Sequence, residues 1–492
     1  MTKDSKSPLH EETLDPEDWE RTRKIGHRMV DDVIDYLANI RQRSPWTPIP
    51  DKIKANFSKP LPLDPESLES VYSEFTQTIM PYPMGNIHPR FWGWILGTGT
   101  VTGAFAEFLS GAMNTNTGGG SHAANYVEKQ VIDWIKEIMS YPPHASGVLT
   151  SGCSAANLIG LAVARNTMAT CGVRKKGLSQ DSKRMVLYAS EEIHSSVQKA
   201  VELMGLGNDS LRRIKVDDRF QICIDALKDA VSDDRKSGYN PFCIIGAAGT
   251  TNTGSIDDLS AVADLCKAEE LWFHVDGAYG AWAVLDPAMK QRLIGLEQAD
   301  SLALDLHKWM YMPYEIGCIL VRREEFHREA FSLTPDYLAH DKGMRGISGG
   351  ELSWFSDYDI QLSRSFKALK AWMCLKEHGI KRYSRLIQQN ISQINYLSNL
   401  IKHSSELELV APVSLNIACF RFVAPELSEE KLNRINERIV IELQERGIAV
   451  LTGTIIKGKY ALRAANTNHR SRREDFKFLV DEIVRLGKEI TA

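Results

Sequence analysis

Lys308 closes an apolar run, "SLALDLHK" (301–308), and Trp309, Met310, Tyr311 and Met312 follow it directly. Lysine is seldom fully buried unless its charge is paired or used. A desolvated lysine becomes a nucleophilic amine that condenses with carbonyls. A surface lysine is the alternative, and the apolar surroundings argue against it. Three other features share this placement. In "LTSGCSAANLIG" (149–160), Gly152, Cys153 and Ser154 join a strand-like run to a helix-like one. Backbone N–H groups there, with the helix dipole behind them, suit a phosphate; an ordinary capped helix reads the same way. No GK[ST] follows, so this is not a Walker A loop. In "FHVDGAYG" (273–280), Asp276 ends an apolar strand, which is costly unless the carboxylate holds a cation or a donor; capping the next turn is the alternative. In "SEEIHSSVQKA" (190–200), His194 lies between a strand and a helix, a place where structural histidines are also common.

Taken together, a phosphate cradle, an acid for a ring nitrogen, an imidazole and a carbonyl-binding lysine meet the needs of one cofactor, pyridoxal 5'-phosphate. The GxGxxG that a nicotinamide dinucleotide would want after a first strand is absent. The motifs "HPRFW" (88–92), "VEKQVIDW" (127–134), "SGCSAANL" (151–158), "EEIHSSVQKA" (191–200), "GTTNTGSID" (249–257), "HVDGAYG" (274–280), "HKW" (307–309), "PDYL" (335–338) and "LRAANTNHRSRREDF" (462–476) occur in that order. On these the chain resembles the group II pyridoxal-phosphate decarboxylases, the fold-type-I enzymes that include aromatic-L-amino-acid decarboxylase.

The resemblance implies an aspartate-aminotransferase-like α/β fold: a mostly parallel central sheet, an N-terminal arm and a small C-terminal α+β domain. It implies that Lys308 carries the cofactor as a Schiff base and that Asp276 partners the pyridine nitrogen. Ala278 and His194 would cover the two ring faces, and Gly152, Cys153 and Ser154 would cradle the phosphate. Thr250 and His307 would lie beside the cofactor, and Ser363 would reach the phosphate of a neighbouring subunit. Asp305 falls where several relatives have a phosphate-facing asparagine; an acid there repels phosphate unless its backbone or a bridging donor makes the contact. Tyr337, on a glycine-containing loop, matches the proton donor to Cα. Related aldehyde synthases commonly carry phenylalanine there, so Tyr337 favours simple decarboxylation to an amine.

For the substrate, Trp92 and Trp94 match the pocket wall, and strand alternation would put both on one face. Two such π-surfaces suit an aromatic side chain, although core or interface packing would use them equally. Asn116 and Gly118, in "NTNTGGGSHAAN" (114–125), leave a roomier and more polar wall than that of animal aromatic decarboxylases. An aromatic L-amino acid is the first expectation. Glutamate, aspartate or cysteine sulfinate, or aldehyde synthesis on the same scaffold, is the alternative. No arginine stands out as a clamp for a second carboxylate, Arg90 being the best candidate. A catalytically silent binding protein would have lost Lys308, Asp276 or Tyr337, and all three are present.

The elements that position these residues are legible as patterns. Strand-like runs at 185–190, 243–251, 271–280, 301–308 and 316–321 alternate with helix-like ones at 154–166 and 195–204, which predicts a mostly parallel sheet covered by helices. Ligands then bind beyond the carboxyl ends of the strands. Asp15-Pro16-Glu17 reads as a helix start, and Val30, Val33, Ile34, Leu37 and Ile40 follow at helical spacing. Ser471 and Glu474 read as a capping box for the last helix. The expected division is 1–95, a helix and dimerisation arm; 96–385, the cofactor-binding domain; and 386–492, the small domain.

Composition narrows the class. The 492 residues carry 59 basic and 63 acidic side chains, a net charge of −4, which is no footprint of a nucleic-acid binder or a polybasic membrane patch. Mean hydropathy is −0.26, with neither a signal peptide nor a membrane span in view. The eight cysteines are scattered, without CxxC or zinc-ligand spacing, so no metal site is expected. The expectation is a cytoplasmic homodimer acting on a small amino acid.

Overall fold

The structure, a computed structural model, describes residues 12–178, 183–333, 345–349 and 352–492. The chain divides into two compact units: one of residues 12–43 and 47–84, the other of residues 44–46 and 85–492.

In the first unit the long helix runs Trp19–Ala38. It starts later than the Asp15-Pro16 signal suggests. Asp15 N–H turns back to the Thr13 hydroxyl, and Asp18 supplies the cap by accepting from Arg21 N–H at 2.9 Å. A second helix, Leu68–Thr78, is tied to it by the Tyr72 hydroxyl on Asp32.

The second unit is built on seven strands: β1 Ser146–Thr150, β2 Met185–Ser190, β3 Leu211–Ile214, β4 Asn240–Ala247, β5 Trp272–Asp276, β6 Ser301–Asp305 and β7 Gly317–Val321. Their spatial order is β1-β7-β6-β5-β4-β2-β3. Strands β3, β2, β4, β5 and β6 run parallel, and β7 lies antiparallel between β1 and β6. Strands β1, β2, β5, β6 and β7 are buried along their whole length. That burial is why they read as continuous apolar runs rather than alternating ones. The α/β architecture expected from the alternation is present. No helix among the described residues is long and apolar enough to cross a membrane.

A second, antiparallel sheet has the order β10-β11-β9-β8, with β8 Leu407–Leu409, β9 Ile417–Phe422, β10 Thr452–Ile456 and β11 Lys459–Ala465. Helices Glu429–Glu445 and Arg473–Thr491 share its apolar core. Two expectations are corrected here. The last helix is capped one residue later than Ser471–Glu474: Asp475 accepts from Arg472 N–H at 2.8 Å. Ser471 is engaged elsewhere, donating to the Pro89 carbonyl and accepting from the Trp92 indole. Trp92 is therefore not a pocket residue. It is fully buried in the core of the small sheet, stacked on Phe476 at 4.6 Å, because its backbone pairs with Val450 and Ala465.

Candidate active site

The carboxyl ends of β4, β5 and β6, with the turn after β2, open onto one cavity of about 270 Å³. Lys308, Asp276, His194, Ala278, Thr250 and Trp94 all line it. Five of these were expected around a cofactor, and Trp94 in a substrate wall. Trp94 parts from Trp92 because the segment is no strand: its φ is +49°, which turns its ring away from its neighbour's direction.

Lys308 sits in the turn that follows β6. Its Nζ lies 2.9 Å from Asp305 Oδ2. Burial alone would push the ammonium down, but attraction to Asp305 outweighs it and holds Lys308 above the ordinary lysine value. Asp305 is 1% exposed and also accepts the Cys153 N–H, at 2.6 Å, through Oδ1. Cys153 thus spends its N–H on Asp305, where the sequence expectation gave it to phosphate. The acid at 305 is tolerable because an ammonium and a helix-terminal N–H pair with it. His307 Nε2 stands 3.7 Å from the same carboxylate, and burial pushes its pKa down. The two loops approach closely: a Cβ on Gly317 would fall 2.6 Å from Gly152 Cα, so only glycine fits where β7 passes the helix start. The Ser154 side chain is exposed beside them.

Asp276 is 7% exposed at the end of β5. Its Oδ1 accepts from Ala278 N–H at 3.2 Å and faces the Cys153 thiol, and its Oδ2 accepts from Asn157 Nδ2 at 3.1 Å. His194 caps helix Ser195–Leu203, its Nδ1 meeting the N–H and hydroxyl of Ser196; burial pushes its pKa down. Thr250 is held by Thr253 and Ser255.

The remaining expected residues lie elsewhere. Asn116 Oδ1 accepts from Gly118 and Arg364 N–H groups, and a Cβ on Gly118 would strike the Leu362 carbonyl. Both therefore pack on residues 362–364 and line no part of the Lys308 cavity. Ser363 is exposed on that same segment. Tyr337 lies outside the described residues. Arg90 rests over the Phe478 ring rather than in the cavity.

Sequence reasoning missed two groups. Asn157 and His274 stand behind Asp276; spacing held the signal, since Asn157 is one helical turn after Cys153 and His274 two residues before Asp276 on the same strand face. Arg463, buried on β11, lies in the 462–476 motif, which assigned it no role; its Nη1 and Nε donate to the Trp94 and Asn252 carbonyls, while Nη2 has no partner among the described residues.

These residues fit pyridoxal phosphate. One cavity presents an amine for its aldehyde, a buried carboxylate with both oxygens accepting for its ring nitrogen, and a flat and a small side chain for its faces. The comparisons agree. Residues 50–423 match the family model described as the pyridoxal-dependent decarboxylase conserved domain. An aromatic-L-amino-acid decarboxylase of Bacillus atrophaeus is 32% identical over 487 residues, 96% of each chain. Tryptophan decarboxylase 2 of Oryza sativa subsp. japonica is 29% identical over 98% of each. The crystal structure of Oryza sativa TDC with PLP and tryptamine superposes with a TM-score of 0.89 at 23% identity, covering 98% of this chain and all of that one.

Proposed function

The chain belongs to the pyridoxal-dependent decarboxylase family, and from that premise we propose that it converts an aromatic L-amino acid to the amine and carbon dioxide. The observation that carries this reading is the single cavity shared by Lys308, Asp276, His194 and Trp94. Bound pyridoxal phosphate supplies the electron sink for the pair left on Cα when the carboxyl group departs. Lys308 Nζ would hold the cofactor aldehyde. Asp276 would accept a hydrogen bond from the ring nitrogen and keep it protonated, and Ala278 and His194 would bound the ring. Gly152, Ser154, Thr250 and His307 would lie around the cofactor, with Asp305 setting the charge of Lys308. Tyr337 delivers the proton to Cα.

Substrate charge follows from the cations at hand. Arg463, buried behind Trp94, holds the Trp94 and Asn252 carbonyls and lies outside the cavity lining. Lys308 is the one lysine lining the cavity, no arginine lines it among the described residues, and Glu192 contributes a carboxylate to its wall. A substrate with an acidic side chain would meet repulsion and no second clamp, whereas a neutral ring can pack on Trp94. Screening the twenty amino acids for carbon dioxide release with cofactor present tests this. Tryptophan, tyrosine, phenylalanine or DOPA should lead; preference for glutamate, aspartate or cysteine sulfinate would overturn the aromatic assignment, and aldehyde as the main product would overturn the amine.

We also propose a homodimer. Helix Val101–Met113 exposes Phe108, Leu109 and Met113, and Ile360 and Leu362 are exposed on the segment that carries Ser363. Such apolar surface calls for a cover. A second copy would place Ser363, Asn116 and Gly118 beside its neighbour's cofactor. Eight unpaired cysteines fit a reducing, cytoplasmic setting.

A further inference from the structure

Strand β5 presents Trp272, His274 and Asp276 at alternate positions, hence on one face, and they belong to a continuous line of buried hydrogen bonds. The Trp272 indole N–H donates to Ser301 Oγ at 2.8 Å, and Ser301 Oγ lies 2.7 Å from His274 Nδ1. His274 Nε2 lies 2.9 Å from Asn157 Oδ1. Asn157 Nδ2 reaches both Asp276 Oδ2 and Ser196 Oγ at 3.1 Å, and Ser196 Oγ is 2.8 Å from His194 Nδ1.

Donor counting gives the line a direction. Asn157 must aim its amide nitrogen at Asp276, since a carboxylate only accepts. Its oxygen then faces His274 and needs a donor, so His274 carries its proton on Nε2 and leaves Nδ1 to accept. Ser301, already accepting from Trp272, is free to donate there. At the other end Ser196 Oγ accepts from Asn157 and gives its own proton to His194 Nδ1, which also receives the Ser196 N–H at 3.2 Å. Two donors on one nitrogen leave it no proton. We propose that Asn157 is a positioning residue that, through this oriented line, fixes His194 as the neutral ring protonated at Nε2 while holding Asp276 as an acceptor. The group covering one face of the cofactor and the group holding its ring nitrogen are thereby set by a single amide. A cationic His194 over a protonated pyridine ring would be repelled, and the line denies it that state.

The line is a property of the chain itself; its consequence for cofactor affinity rests on the reading above. The test is long-range proton–nitrogen correlation spectroscopy of the full chain with labelled histidines, with pyridoxal phosphate and after its removal. His194→Gln and His274→Gln assign the signals. Both rings should be protonated at Nε2 alone. Asn157→Leu should convert His194 to mixed tautomers and weaken pyridoxal phosphate binding about tenfold, the size of one hydrogen bond to a charged group. Ser196→Ala, which removes the hydroxyl linking Asn157 to His194, should shift the His194 tautomer as well, and it serves if Asn157→Leu does not fold. His194 protonated at Nδ1 in the parent, or a His194 tautomer unchanged in the folded variants, would overturn the proposal even if affinity fell. A parent protein that binds no pyridoxal phosphate would instead overturn the functional reading and leave the tautomer result standing.

Discussion

Asp305 is the residue at which this site departs from what its motif suggests. It consumes the first N–H of the helix Cys153–Met168 and pairs with the Lys308 amine, so its charge is balanced by two groups expected to serve the cofactor. Condensation with an aldehyde requires the neutral amine, and Asp305 favours the ammonium. Asparagine at 305 can still accept the Cys153 N–H but offers Lys308 no charge, leaving burial to push the amine's pKa down. Asp305→Asn should therefore move the pH at which pyridoxal phosphate loads to lower values, read as bound-cofactor absorbance against pH. An unchanged or higher midpoint would contradict this account of the pair.

Among the elements, β5 and the helix Cys153–Met168 do most of the positioning. Gly160 of that helix lies where a Cβ would approach His274 Cε1 to 2.9 Å, so helix and imidazole pack in direct contact. Burial there pushes the His274 pKa down to about 4, from 6.5, against the pull of Asp276. A folded value below the unfolded one means that its stability contribution is complete above pH 6.5 and is lost as pH falls through about 4. His469, also pushed down to about 4 by burial, adds to the same window. The melting temperature of the protein should fall between pH 6.5 and 4. His274→Gln, which keeps a donor and an acceptor in line, should flatten part of that fall. A variant curve parallel to the parent's throughout would contradict the assignment.

The strands around this site were legible because each is an apolar run that ends in a polar residue: Asp276 and Asp305 mark the carboxyl ends of β5 and β6 without any alignment. The departures have physical causes. The 88–94 segment looked like a strand, yet it is tied to the small sheet through Val450, more than 350 residues away, and no local pattern reports that. Arg463 lies within the 462–476 motif, yet its role was not legible there, because its partners are the backbone carbonyls of Trp94 and Asn252. Asn116 and Gly118 matched a pocket wall by position; in their own chain they pack on residues 362–364, so a wall built from them would belong to a neighbour's site.

For the whole molecule, the exposed apolar side chains of Val101–Met113 set a test of assembly. Light scattering should give the mass of two chains. Phe108→Glu, at a position 69% exposed in the single chain, should yield a folded monomer with activity reduced tenfold or more. A parent monomer with full activity would remove the dimer from the account. The central claim is that Lys308 is the amine through which this decarboxylase holds its cofactor, and borohydride reduction of the cofactor-loaded protein followed by peptide mass mapping tests it most directly. The pyridoxyl-phosphate mass should appear on the peptide containing Lys308 and vanish in Lys308→Ala; the label on another lysine, or its persistence in that variant, would contradict the claim.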